Sequence, residues 1–255
     1  MKLGVQLFGC SKDYNADPEK FLRQLKEHGY TVVEPCILFS DMPLPVWSVD
    51  TLDEHIARVR EAGMEVDSFH SFAGEFWNMI DEHVDVCQRG GFKRVVLGYR
   101  GAFEKAACDE FARHCVQLAD GLAAHGIELW LHNSWQEIAG KVEGMSAYEY
   151  ILRACGGKLG AQVDTGWVVC GGEDLLDFLA RNEQFVRSIH HKDVASLLDE
   201  NNKTDNLPLG AGIVDTKGAF EFGKARGLRQ LVDQDFSLGI LIDDLAQSAC
   251  YINSL

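Results

Sequence analysis

One junction recurs along this sequence: an amphipathic helix pattern ends at a glycine, and a short apolar run follows at once. Glycine is typical of a helix end, where the chain often adopts a left-handed conformation that other residues avoid. The junction glycines are Gly29, Gly63, Gly91, Gly126, Gly157 and Gly227. Their successive spacings are 34, 28, 35, 31 and 70 residues, and the last spans two units. A repeating unit of one strand and one helix predicts parallel strands joined by crossover helices.

Eight apolar runs can be counted, which favours a closed barrel over an open doubly wound sheet. The predicted strands lie near Leu3–Phe8, Thr31–Pro35, Glu65–His70, Arg94–Leu97, Glu128–Leu131, Gly160–Val163, Val186–His190 and Gln230–Val232. Helices are predicted between them, for example over Pro18–His28, Leu52–Ala62, Cys108–His125 and Asp174–Arg181, with a last one near Ile240–Ser254. The chain has 255 residues, and such barrels need about 250. We therefore predict an α/β protein, a single-domain (β/α)8 TIM barrel over residues 1–255. The open sheet is the alternative, although Phe8–Ser11 lacks the dinucleotide-binding glycine pattern.

The overall charge bears on the class of partner. The formal net charge is -15, whereas a nucleic-acid-binding protein normally carries a basic face. The eight cysteines are scattered without a C-x-x-C pair, which is typical of reduced and mostly buried thiols. Neither a signal-peptide pattern nor an apolar stretch of ~20 residues is present. We therefore expect a cytoplasmic protein with no nucleic-acid or membrane partner; homo-oligomerisation is left open.

Polar residues end six of the eight predicted strands. They are Glu34, His70, His132, Asp164, His190 and Asp233. Barrel enzymes place their active sites at these strand ends. Residues two apart along a strand share a face, so His190 shares a face with Lys192, and Asp233 with Asp235. If Asp164, His190 and Asp233 point inward, they meet on the barrel axis as a site for Mn²⁺, Mg²⁺, Co²⁺ or Zn²⁺.

Each residue taken alone also has a structural explanation. Asp164 could cap a turn, Glu34 could begin a loop, and His70 or His190 could be a core histidine. Lys192 and Asp193 could form a surface ion pair. The joint arrangement of these residues, rather than any single one, predicts the metal site.

These segments resemble the sugar phosphate isomerase/epimerase family of xylose isomerase-like TIM barrels. The resemblance spans nearly the whole chain and rests on five segments. They are Val163–Trp167 with Gly171–Asp174, Ser188–Asp193 (H-x-K-D), Leu209–Asp215 (Gly-x-Gly, then Asp), His132–Glu137 (H-N-H-x-x-E) and Val232–Asp235 (V-E-Q-D). Two positions depart from the family pattern. Ser134 stands in place of the second His of H-N-H, and Asp233 in place of the Glu of V-E-Q-D.

The resemblance implies one divalent metal ion bound by Glu137, Asp164, His190 and Asp233. Because Glu137 lies past the predicted strand end, His132 is the other option for the strand-5 ligand. The implied reaction is the isomerisation or epimerisation of a sugar or polyol-like small molecule that contains a carbonyl group. Asp233 and Glu137 would remove and return the proton next to the carbonyl, and the metal would stabilise the enediolate. Lys192 would bind a substrate oxygen or assist a leaving group. The predicted substrate-binding residues are Glu34, His70, His132, Trp167 and Asp235.

Three alternatives remain open from the sequence. The same site would support a dehydratase or lyase of a keto-sugar or inosose. Ser134 and Asp233 motivate a non-catalytic sugar-binding barrel. A phosphodiesterase of the endonuclease IV type is disfavoured, because such an enzyme needs a basic surface for DNA and this chain has a net charge of -15. Phosphorylation of the substrate is also left open, since the Gly210–Gly212 loop could hold a phosphate but no basic cluster accompanies it.

Overall fold

Eight parallel strands form the centre of the molecule. The computed structural model describes residues 2–40 and 42–255. The strands are β1 (Leu3–Gln6), β2 (Tyr30–Glu34 and Cys36–Leu38), β3 (Glu65–Val66 and Ser68–Phe72), β4 (Arg94–Gly98), β5 (Glu128–His132), β6 (Gly160–Asp164), β7 (Val186–His191) and β8 (Arg229–Val232). Each strand pairs in parallel with two neighbours, and β8 pairs with β1. The ring therefore closes, and the predicted (β/α)8 TIM barrel is confirmed.

Strand β2 is interrupted at Pro35. Proline has no backbone N–H and cannot donate to a neighbouring strand, yet its carbonyl oxygen still accepts a bond of 2.9 Å from the His70 N–H. The first half of β2 pairs with the first half of β3, and the second half of β2 with the second half of β3. The sheet is therefore continuous across the interruption, and Glu34 lies directly at it.

Eleven helices surround or cap the barrel in the described part of the chain. They are α1 (Ser11–Ala16), α2 (Pro18–Glu27), α3 (Leu52–Glu61), α4 (Ile80–Gly90), α5 (Lys105–Ala123), α6 (Trp135–Ala139), α7 (Ala147–Ala154), α8 (Thr165–Cys170), α9 (Leu175–Arg181), α10 (Thr216–Ala225) and α11 (Leu241–Asn253). A 3-10 turn covers Phe76–Asn78, and short two-residue strands lie in the loops at Trp47–Ser48, Lys141–Val142, Met145–Ser146, Asp193–Val194 and Asn206–Leu207. Within this described part, no helix combines the length and the apolar character needed to cross a bilayer.

All six junction glycines adopt the conformation on which the prediction depended, with φ between 63° and 94°. The predicted helices are present, with ends that differ by at most three residues. Helix α5, for example, begins at Lys105 rather than at Cys108, and its three added residues are not buried, so they carry none of the buried apolar pattern. Six of the eight cysteines are buried, and none forms a disulfide.

His55 on α3 gives the fold a predictable response to acid. Its ring stacks on Trp47 with centroids 4.7 Å apart, and the Tyr14 hydroxyl lies 2.8 Å from Nδ1. Burial and, secondarily, Arg58 lower the pKa of His55 from 6.5 to about 4. Between these values the unfolded chain binds a proton that the folded protein does not, so the free energy of unfolding falls as the pH falls from 6.5 to about 4.

We expect this group to contribute about 2 kcal/mol to that fall, which is less than the full pKa shift implies because the ring is only partly buried and solvent screens its charge. Urea unfolding of the wild type and of His55→Gln across this range would measure it. His55→Gln loses the ring stacking and should be less stable at pH 7, with the difference narrowing towards pH 4. A difference that stays constant with pH would contradict the assignment.

Candidate metal centre

Four side chains converge at the carboxyl ends of β5 to β8. They are His132, Asp164, His190 and Asp233, and one ligand atom of each lies within 4.8 Å of the others. The Oδ2 atom of Asp233 is 3.0 Å from His190 Nδ1 and 3.7 Å from His132 Nε2, which is itself 3.6 Å from Asp164 Oδ2. Ligand atoms around a tetrahedral metal with bonds of ~2.0–2.2 Å are separated by about 3.3 Å. The spacing therefore fits a single ion.

Unpartnered polar atoms support this fit. His132 Nε2 and Asp233 Oδ1 are buried without a hydrogen bond, and so is Asp164 Oδ2, whose nearest cation is the Lys192 ammonium at 3.0 Å. Buried polar atoms are almost always hydrogen-bonded, so a group of exceptions at one place calls for an explanation. A divalent cation bound by two imidazoles and two carboxylates would satisfy all of them.

The local structure at Asp164 explains how it is presented. Its Oδ1 atom accepts a bond of 2.9 Å from the Trp167 N–H and so caps α8, while Asn133 Oδ1 accepts a bond of 2.9 Å from the Asp164 N–H. Both contacts hold the side chain in place and leave Oδ2 directed into the centre. The capping role that the sequence offered as an alternative is therefore real, and it coexists with the site. The supporting role of Asn133 was not foreseen.

Glu34 and His70 lie next to the four residues. Glu34 Oε1 is 2.8 Å from His190 Nε2 and 2.9 Å from His70 Nε2. Burial would raise the pKa of Glu34, but the imidazoles of His190 and His70 outweigh it and hold that pKa well below its usual range. For His190 the balance is reversed. Burial would lower its pKa, but Glu34 and Asp233 raise it to about 10.

Lys192 is fully buried beside the centre, with 1% of its side chain exposed. Its Nζ atom is 2.7 Å from Asp235 Oδ2, 3.0 Å from Asp164 Oδ2 and 3.5 Å from Asp233 Oδ2. Burial would lower the pKa of its ammonium group, but the three carboxylates outweigh burial and raise it well above its usual value. The ammonium also lies 4.7 Å from the centre of the Trp167 ring. Lys192 is thus not part of a surface ion pair.

Asp235 is more accessible than the carboxylates below it, with a side chain 26% exposed, against 5% for Asp233 and 0% for Asp164. Burial is the largest cause of its raised pKa, and the neighbouring Asp233 adds to it. His70 and His132 retain 14% and 15% exposure. Among the charged and imidazole side chains described for the site, these three therefore keep the most access to solvent.

Glu137, the predicted strand-5 ligand, does not join this group in the described chain. Its carboxylate accepts hydrogen bonds from the hydroxyl and, at 3.2 Å, from the N–H of Ser134, which caps α6. Burial raises the pKa of Glu137 despite the contact with Ser134. The residue that the structure places among the ligand atoms is His132, the other option from the sequence.

The Gly210–Gly212 loop, which the sequence offers as a possible phosphate site, binds a side chain of the protein itself. The N–H groups of Gly210 and Gly212 each donate a bond of 2.9 Å to Asp193 Oδ2, and the Val214 N–H donates to Oδ1 at 3.1 Å. Asp193 is buried and faces away from Lys192, as strand alternation predicts. Its carboxylate fills the position that an external anion would take.

Comparisons with known proteins agree with the fold. The model of the xylose isomerase-like TIM barrel family matches residues 22–232. A sugar phosphate isomerase/epimerase from Parabacteroides distasonis has a similar structure, with a TM-score of 0.79, 18% identity, and coverage of 98% of this chain and 92% of that one. A probable 3-DHS dehydratase, AsbF, from Bacillus anthracis has a TM-score of 0.72 and 12% identity, covering 99% of both chains.

A third similar structure is the IolI protein with a zinc atom. It has a TM-score of 0.69 and 15% identity, and the match covers 99% of this chain and 96% of that one. At these identities the solved structures establish the fold alone. A sequence search found no match among curated proteins.

Proposed function

We propose that the chain, which belongs to the xylose isomerase-like TIM barrel family, is a metal-dependent isomerase or epimerase of a sugar or keto-polyol. The observation that carries the proposal is the convergence of His132, Asp164, His190 and Asp233 at the mouth of the barrel. The zinc atom in the IolI structure supports a metal of this kind in a barrel of the same fold.

The four converging residues would hold one divalent ion, with Zn²⁺, Mn²⁺, Co²⁺ and Mg²⁺ as candidates. Such an ion acts as a Lewis acid and stabilises negative charge on oxygen when a proton leaves the adjacent carbon. His132 replaces a carboxylate as the strand-5 ligand in this assignment. Two imidazoles and two carboxylates form a donor set that is common for zinc.

Proton transfer is assigned to Asp235, together with the metal-ligating Asp233. Asp235 combines access from the barrel mouth with a raised pKa, which brings a carboxylate closer to the range useful for a base. Lys192 holds Asp235 at 2.7 Å and supplies positive charge beside the reacting oxygen atoms. Glu137 is less suited to the second proton transfer, because Ser134 already binds its carboxylate.

The charge at the centre favours an unphosphorylated substrate. Asp164, Asp233 and Asp235 share the charge of one buried lysine, and a fourth carboxylate, Glu34, contacts two imidazoles nearby. A phosphate dianion would meet like charge here, and the glycine loop is already filled by Asp193. His70, His132 and Trp167 are suited to the hydroxyl groups and the apolar face of a neutral sugar.

A dehydratase of a keto-sugar is the second candidate. The observation that favours it is the Lys192 ammonium beside Asp235, since the pair could protonate a departing β-oxygen after the same proton abstraction. The AsbF structure shows that a probable dehydratase shares this fold. Elimination would be seen as loss of water from the substrate rather than as a new sugar isomer.

Asp235→Asn tests the proposed proton transfer. The wild type, loaded with Mn²⁺ and incubated in D₂O with a panel of ketoses and inososes, should incorporate deuterium next to a carbonyl group. Asp235→Asn should lower that exchange by on the order of 10²–10⁴-fold, because the base is lost. Asp243→Asn, which changes an exposed carboxylate on α11, should exchange like the wild type.

The alternatives predict different results in the same assay. If the wild type and both variants bind sugars but none of them incorporates deuterium, the result would favour the non-catalytic sugar-binding barrel. Equal exchange by Asp235→Asn and the wild type would remove Asp235 from the mechanism and leave the metal assignment unaffected.

A further inference from the structure

We propose that Glu34 is a positioning residue of the metal centre: its carboxylate fixes the His190 ring so that Nδ1, and not Nε2, is the ligand atom. This inference depends on the proposed function only in requiring that the centre binds a metal. It assigns Glu34 a role different from the substrate contact that the sequence suggested.

Burial separates Glu34 from any substrate. The residue is 0% exposed, and its carboxylate is surrounded by protein groups. The Ser68 hydroxyl donates to Oε2, and Gln162 Nε2 donates to the same atom at 2.9 Å. Ser68 lies on the neighbouring strand β3 and Gln162 on β6, so Oε2 is held from two sides. The other oxygen, Oε1, is thereby directed at the two imidazoles.

The two nitrogen atoms of His190 have separate partners. Nε2 lies 2.8 Å from Glu34 Oε1, whereas Nδ1 lies 3.0 Å from Asp233 Oδ2 on the side of the four ligand atoms. An ionised carboxylate only accepts hydrogen bonds, so Glu34 keeps a proton on Nε2, whereas the proton on Nδ1, beside Asp233 and the other ligand atoms, is the one that a metal ion would displace. A neutral ring protonated on Nε2 has its lone pair on Nδ1, which is the atom that a metal would bind.

Strand geometry explains why Glu34 can reach His190. Glu34 ends the first half of β2, immediately before Pro35, and His190 lies on β7, across the barrel from β2. The Glu34 side chain therefore crosses the barrel interior to reach the His190 ring. His70 Nε2 lies 2.9 Å from the same oxygen and 2.8 Å from Gln162 Oε1, and the His70 ring stacks against His190 with centroids 5.5 Å apart. One carboxylate thus orders two of the three histidines in the centre.

Glu34, His70 and His190 could themselves be taken for a second metal site, because their ligand atoms also lie close together. That assignment would need His190 to bind two ions through both nitrogens and to lose its remaining ring proton. In the positioning role, the Nε2 atoms of both rings keep their protons and face Glu34 Oε1, and His70 Nε2 also bonds Gln162 Oε1, so no second ion is required. The number of metal ions per chain therefore separates the two assignments.

Glu34→Gln is the direct test, with Co²⁺ alone as the probe. Metal-free protein would be titrated with Co²⁺ and followed by calorimetry and visible absorption. The wild type should bind one Co²⁺ per chain. Glu34→Gln should bind it 10–100-fold more weakly with an altered absorption spectrum, because the ring is no longer fixed by a carboxylate. Glu149→Gln is the matched control, since Glu149 is a buried carboxylate held by Arg181 and Asn182, outside the group of ligand atoms.

A measurement on the wild type covers the case in which Glu34→Gln does not fold. The ¹⁵N resonances of the Zn²⁺-loaded protein should show His190 protonated on Nε2 and unprotonated on Nδ1. Three results would each overturn the inference without affecting the proposal of a metal enzyme. They are protonation of His190 on Nδ1, two metal ions per chain, and a Glu34→Gln variant with the metal affinity and absorption spectrum of the wild type. Failure of the wild type to bind Co²⁺ or Zn²⁺ would overturn both.

Discussion

Asp164→Asn is expected to remove metal binding and, with it, activity, while leaving the barrel folded. The asparagine oxygen can still accept from the Trp167 N–H, so the cap of α8 is kept. What is lost is the ionised oxygen that faces His132 and Lys192. Affinity for Zn²⁺ should fall by more than the ~10–100-fold that follows loss of a residue supporting a ligand. Turnover should fall by on the order of 10³-fold or more, because Lewis-acid stabilisation amounts to several kcal/mol.

Asp174→Asn provides the comparison for this variant. Asp174 caps α9 in the same way, through a bond of 3.0 Å from the Asp177 N–H, but it is exposed and outside the centre. Calorimetric titration with Zn²⁺ and thermal unfolding would be measured for both variants. Asp174→Asn should match the wild type in affinity. If Asp164→Asn also did so, the four-residue ligand set would be wrong.

Lys192→Met is expected to destabilise the metal-free protein far more than the metal-loaded protein. Removing the buried ammonium leaves Asp164, Asp233 and Asp235 facing one another without compensation. Breaking a buried charge pair typically costs about 3–5 kcal/mol. A divalent ion bound by Asp164 and Asp233 would supply positive charge at the same place. The loss should therefore be largely recovered when Zn²⁺ is added.

Urea unfolding with EDTA and with excess Zn²⁺ measures both halves of this prediction. Lys158→Met is the control, because Lys158 pairs with Asp120 on the surface, where such pairs contribute at most about 1 kcal/mol. An equal loss in Lys192→Met with and without Zn²⁺ would mean that the lysine and the metal do not act on the same carboxylates.

The fold was predictable because its signals are local and repeated. Each junction glycine reports a helix end, and each apolar run after it reports a buried parallel strand. Alternation along β7 also predicted correctly that His190 and Lys192 face the centre while His191 faces outward, where its Nε2 lies 2.7 Å from Gln230 Oε1. These inferences needed only the period of a strand.

The parts of the site that the sequence did not reveal depend on competing local hydrogen bonds. Ser134 and Glu137 have the spacing of a helix capping box, and that pairing, confirmed on α6, withdraws Glu137 from the centre. The capping-box spacing is visible in the sequence, but the same Glu137 also matches the family pattern, and the two predict different positions for its carboxylate. Asp193 is different, because its backbone partners come from a loop about twenty residues further along the chain. No sequence pattern specifies that contact, which depends on the folded loop.

The distribution of cysteines has a practical consequence for studying this protein. Of the eight thiols, six are buried, Cys170 is half-buried, and Cys250 on the last helix is exposed. Burial raises the pKa of Cys170 to about 11, so little of it is present as the reactive thiolate at neutral pH. A maleimide dye should therefore attach at Cys250. A fluorophore could thus be placed on the outer layer of helices without engineering the chain and without touching any residue of the metal centre.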